Sequence, residues 1–177
     1  IDVEIKENEA IDFDPAQGTI SRANVNCPCC NTGISADEVR NKFQAGESGQ
    51  RMMIVVLRHP NKKGKIYRLA TDEDIAIYHR AEKILKIKRE KLFEEWGIDP
   101  VPFEPLPPQG TLGFRLRRYG METWSDLFNN RQKFMLITFL EIIHNVKDKL
   151  YNHNFSKDLV SAVTTYLALG LDRLADY

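Results

Sequence analysis

Residues 99–110, Asp-Pro-Val-Pro-Phe-Glu-Pro-Leu-Pro-Pro-Gln-Gly, contain five of the chain's eight prolines. A proline fixes φ near about −65° and has no N–H to donate, so this stretch can neither continue a helix nor lie inside a sheet. It must run extended and stiff, close to polyproline II geometry. It reads as a Pro-rich linker over 100–112 that separates two differently patterned parts of the 177-residue chain.

Ahead of the linker, residues 1–50 form an acidic lead-in and a cysteine turn. Asp2, Glu4, Glu7, Glu9, Asp12 and Asp14 face only Lys6 before position 20, and all three cysteines follow in Cys27-Pro28-Cys29-Cys30. Residues 51–99 carry the clearest regular structure. Arg51–Arg58 is a continuous β-rich apolar run, His59–Gly64 supplies turn residues and Lys65–Leu69 returns, which predicts a β-hairpin. Thr71 is then placed to cap a helix whose first turn, Asp72-Glu73-Asp74, suits the positive end of the helix dipole. Apolar residues recur at three- and four-residue spacing as far as Trp96, where Gly97 and Pro100 stop the pattern. Residues 113–177 begin as a basic aromatic loop and become a helical subdomain. One helix is expected from about 130 to 150 and another from a Ser156 cap, both apolar on more than one face and so expected to be buried.

With 42% hydrophobic residues the chain can build a core, and its 25 basic and 25 acidic residues balance. Zero net charge argues neither for nor against nucleic acid, so local distribution carries the information. No run of 18 apolar residues and no secretory leader occurs, which predicts no membrane span and a cytoplasmic setting. The start at Ile1 without Met and the end at Tyr177 without a helix-stopping signal lead us to expect the middle of something longer.

The cysteine turn admits three readings. Cys27 and Cys30 have the two-residue spacing that lets two sulfurs approach one Zn²⁺, yet tetrahedral zinc needs four ligands and no second knuckle is present. A turn of inert thiols is the plain alternative, and a redox pair lacks the surrounding βαβ pattern. The basic clusters are similarly double-edged. Between Glu47 and Asp72 there are six basic residues and no acid, which makes Arg58, Lys62, Lys63 and Lys65 at the hairpin tip candidates for phosphate contact. Arg115, Arg117, Arg118 and Arg131, interleaved with Tyr119 and Trp124, could contact phosphates and stack on bases. The same alternation also suits a half-exposed strand, and Trp124, Leu127 and Phe128 suit a core. Asn129 and Asn130 fit helix caps as well as readers of a base edge. No Gly-rich phosphate loop, G-x-S-x-G or H-E-x-x-H is found. No residue is assigned a catalytic or cofactor-binding role.

Taken in order, "GTISRANVNCPCC", "RMMIVVL…KIYRLATDEDIAIYHRAEKIL", "PFEPLPP", "GFRLRRYGMETWSDLFNNRQKFMLITFLEII" and "YLALGLDRLADY" resemble the zinc-ribbon-containing adenine-specific DNA methylases. "RRYGMETWSDLFNNRQ" is the most specific part. The resemblance implies an insert between the two halves of a Rossmann-like methyltransferase domain that uses S-adenosylmethionine. The Gly-rich cofactor loop would lie upstream, and the Asp-Pro-Pro-Tyr-type motif that grips a flipped adenine downstream. Neither lies in residues 1–177, so this segment is expected to be non-catalytic. The family also implies an earlier Cys-x-x-Cys completing a zinc site with Cys27 and Cys30. Here Cys29 lies inside the knuckle and Asn31 stands where Gly is common.

The expectation is therefore an α+β chain: a cysteine knuckle and β-hairpin, one long helix, a proline-rich linker and a buried helical pair. It would help position DNA for a parent methyltransferase. The competing expectation is a packing module whose helices complete the methyltransferase chain or a homodimer without touching nucleic acid.

Overall fold

The computed structural model describes residues 5, 14, 16, 18–61 and 63–176. The chain is α+β, with five short strands and four α-helices among those residues. It divides into two compact units that are discontinuous in sequence: residues 1–75 with 106–122, and residues 76–105 with 123–177.

The first unit holds both sheets. β1 (Ile20–Ser21), β2 (Asn24–Asn26) and β3 (Gly33–Ile34) form an antiparallel sheet in chain order. Arg22 and Ala23 turn β1 into β2 with φ of 50° and 72°. This is the primed backbone that matches strand twist and is more often supplied by Asn-Gly. α1 (Ala36–Gln44) follows, with the Ser35 hydroxyl accepting from the Glu38 amide at 3.2 Å. β4 (Ile54–Leu57) and β5 (Ile66–Leu69) form the expected hairpin, paired from Ile54 opposite Leu69 to Leu57 opposite Ile66. Among the described residues no other element packs extensively on it. In consequence its apolar side chains, including Ile54, Val56, Tyr67 and Leu69, stay exposed.

α2 (Asp72–Trp96) begins in this unit as the sequence predicts. The Asp74 carboxylate accepts from the Thr71 amide at 2.9 Å and from its hydroxyl at 2.8 Å. Gly97, at φ 67°, ends the helix by donating its amide to the Phe93 carbonyl.

The second unit contains most of the buried apolar residues. Ala81, Leu85 and Leu92 share one face of α2. Leu85 and Leu92 pack with Val101 from the proline stretch and Ile137 from α3 (Asn130–Asn152), flanked by Trp96 and Phe134. The indole of Trp96 stacks on His144 at 4.1 Å. α3 packs against α4 (Lys157–Ala175), and the two are capped by Asn129 and Ser156.

Two expectations need refinement. The proline stretch has no helix or strand before Thr111, yet Val101 and Leu106 on it are 4% and 1% exposed. It packs as well as connects. The α3–α4 pair forms, but on it only Ile137 and Val160 are buried among the described residues. Two helices can cover one face of each other, and the second apolar face of each stays open. No described helix is long and apolar enough to cross a membrane.

Leu92 has no exposed surface. Leu92→Ala should therefore lower the unfolding free energy by about 3 kcal/mol through lost burial and the cavity left behind, as measured by urea denaturation.

Candidate nucleic-acid interface

The cysteine turn is the loop between β2 and β3. The Cys27 amide donates to the Thr32 carbonyl at 2.9 Å, and the Asn31 amide donates to the Cys27 carbonyl at 2.8 Å. Asn31 has φ 56°, the left-handed conformation that Asn tolerates better than most residues and Gly accepts freely. Asn at this position is thus compatible with the backbone of the turn.

Cys27 is half-buried, while Cys29 and Cys30 are exposed. Cys30 Sγ lies 3.2 Å from the Thr32 hydroxyl. Hydrogen bonds from the Thr32 hydroxyl, then the Thr32 backbone and Cys27, hold its thiol below the ordinary value. Among the described residues, no three or more His, Cys, Asp or Glu side chains are grouped to hold a metal. Cys27 and Cys30 offer two of the four ligands that tetrahedral zinc needs.

The arginine loop is built onto the same unit as the cysteines. The short helical turn Leu116–Tyr119 packs on α1, the helix that follows the cysteine turn. Phe43 meets the Tyr119 ring edge-on at 5.6 Å, and Gln44 Nε2 donates to the Arg118 carbonyl at 3.0 Å. Gly120 makes this approach feasible. Its φ is 73°, and a Cβ there would stand 3.2 Å from the Phe43 carbonyl oxygen.

The eight basic candidates fall into different environments. Arg58, Lys63 and Lys65 are exposed at the turn end of the hairpin, and none makes an ion pair or side-chain hydrogen bond among the described residues. Extending the strand register by one pair sets Arg58 opposite Lys65. Lys62 lies outside the described residues. Arg115 is exposed. Arg117 is half-buried, with Nε 3.6 Å from the Glu122 carboxylate. The Arg118 Nε and Nη2 groups donate to the Gln109 side-chain oxygen at 2.8 and 2.9 Å once that amide is oriented to accept. Arg131 belongs to the second unit, exposed in the first turn of α3. Asn129 is the α3 cap, exchanging hydrogen bonds with Gln132, and Asn130 Nδ2 donates to Glu82 at 2.8 Å.

Arg68 shows what separates an anchoring arginine from an available one. It grips Asp74 through Nη1 at 2.5 Å and Nη2 at 2.8 Å, tying β5 to the first turn of α2. The guanidinium, followed by the Thr71 hydrogen bonds, holds the Asp74 carboxyl well below the usual carboxylate range. The residues missed from sequence are these positioning groups: Gln44, Phe43 and Gly120, together with the Arg68 partner of Asp74, which sequence placed only as a first-turn acid. Only Gly120 carried a local signal, as a glycine directly after an aromatic-basic run.

Comparisons with family models, curated proteins and solved structures gave no match.

Because the folded pKa of Asp74 lies below its unfolded value, the clamp is fully present above about pH 4 and is lost as pH falls further. Asp74→Asn should lower thermal stability at neutral pH and flatten the acid limb of the wild-type stability curve, read from melting temperatures between about pH 2 and 7. Elemental analysis of the purified chain should find zinc far below one equivalent. One tightly held zinc per monomer would refute the half-site assignment.

Proposed function

We propose that this chain is a non-catalytic internal segment of an S-adenosylmethionine-dependent, adenine-specific DNA methyltransferase of the cytoplasm, and that it helps hold DNA for the parent enzyme. The observation that carries the DNA reading is the charge of Arg58, Lys63 and Lys65 at the turn end of a two-stranded hairpin, uncompensated among the described residues. Solvated cations with no carboxylate partner gain by releasing the counterions condensed on a duplex, whereas paired cations must first break an existing contact. A two-stranded ribbon is also narrow enough to enter a major groove. Arg115 adds a further exposed charge within the same unit. Contacts of this kind position a duplex and do not by themselves choose a sequence.

In this reading, base recognition, the cofactor and methyl transfer belong to residues outside 1–177. The methyltransferase assignment rests on the ordered resemblance from "GTISRANVNCPCC" to "YLALGLDRLADY". The knuckle contributes Cys27 and Cys30 to a zinc site that other ligands would complete.

Duplex binding by the 177-residue chain should weaken linearly in log–log form as salt rises. Each phosphate contact contributes a slope of about 0.9. Replacing Arg58, Lys63 and Lys65 together by Ala should reduce the slope by up to about 3 while thermal stability changes little. Salt-independent binding, or an unchanged slope in the triple variant, would remove the hairpin from the interface.

A further inference from the structure

The outer surface of the α3–α4 pair is strongly apolar. Phe139 and Ile142 of α3 and Tyr166, Leu167, Leu169 and Leu174 of α4 range from 39% exposed at Leu174 to 78% at Tyr166. Between the two helices lies an apolar groove of about 340 Å³, with Phe139, Ile143, Val146 and Leu171 in its lining. A patch of this size on a folded surface marks an interface more often than bare solvent exposure.

Gly170 indicates what covers it. It lies inside α4, where glycine is about 1 kcal/mol less favourable than alanine. No close approach among the described residues requires it, since a Cβ built there would meet none of their atoms within 4 Å. It also lines the groove, four residues from Tyr166 and four from Leu174.

We propose that the occupant is a second copy of this chain, with two α4 helices crossing antiparallel at Gly170. The missing side chain lets the two backbones approach. The symmetric spacing sets each Tyr166 beside Leu174 of the other copy, the self-complementary contact that a two-fold axis requires. At about 200 Å² for a fully exposed large apolar or aromatic residue, the six exposures sum to roughly 600 Å² per copy. The two copies together would bury about 1,200 Å², at the lower edge of a stable interface. The dimer is independent of the DNA reading, because none of the basic candidates takes part.

Sedimentation equilibrium of the 177-residue chain from about 1 to 100 μM should show a monomer–dimer equilibrium that is insensitive to salt. Gly170→Leu has room within the monomer and should keep or raise helix content and melting temperature, while weakening the dimer at least tenfold. Tyr166→Glu, at an already exposed position, should weaken it to a similar degree. If circular dichroism showed Gly170→Leu to have lost helix, Tyr166→Glu would decide alone. A chain that stays monomeric throughout this range would overturn the proposal, as would a dimer that a folded variant fails to weaken.

Discussion

The second unit depends on the reversal that follows α2. Arg89 holds Asp99 through Nε at 2.8 Å and Nη2 at 2.5 Å, and the same carboxylate accepts the Val101 amide at 3.0 Å. A forked guanidinium–carboxylate pair fixes direction as well as distance. Here it folds the chain back just after Gly97, so that Val101 reaches Leu92 on the helix it has left. Without the clamp the proline stretch would still be stiff, but nothing would aim it inward. Pro100 and Pro102 contribute by having few conformations to lose, so ordering Val101 is entropically cheaper than in an ordinary loop. Stiffness predicted from sequence as a spacer thus becomes a means of core formation.

The first unit works with far less apolar burial. Leu106 is its single buried apolar residue among those described. Two antiparallel strands alone are marginal in water. β4–β5 is held instead by directional contacts at the end away from its turn, where Arg68, Asp74 and the Thr71 hydroxyl lock β5 to α2. Polar contacts of this kind specify geometry and leave sheet faces uncovered, which is why Ile54, Val56, Tyr67 and Leu69 remain accessible. The arginine loop follows the same logic, held by one aromatic edge contact, one side-chain amide and the close backbone approach at Gly120.

What could be read from sequence follows from how local each determinant is. Thr71, Asn129 and Ser156 act on amides three residues away, so the starts of α2, α3 and α4 were legible from the residues themselves. The β4–β5 hairpin was legible because an apolar run, a turn and a second run are adjacent. The β1–β2 turn was not, because Arg22-Ala23 has no left-handed preference and takes that conformation only with the strands in place. The joining of the knuckle helix to the arginine loop was also hidden. It links Gln44 to Arg118 across 74 positions, and neither residue type announces the other. The burial expected of α3 and α4 followed from their apolar periodicity, but periodicity shows which faces are greasy and not how many neighbours will cover them.

The arginines show why a count of basic residues is a poor guide to a nucleic-acid surface. Arg68 and Arg89 have equally strong charges, and both spend them on carboxylates within the fold. Arg118 directs its donors to Gln109, while Arg117 is half-buried beside Glu122. Transferring any of these to a phosphate would exchange one contact for another, with little net gain and a loss of local order. Arg58, Lys63 and Lys65 have no such contact to give up among the described residues, so attraction to a polyanion is not offset there. In a protein whose total charge is zero, and where salt screens beyond about 10 Å, this local imbalance is what a duplex would encounter.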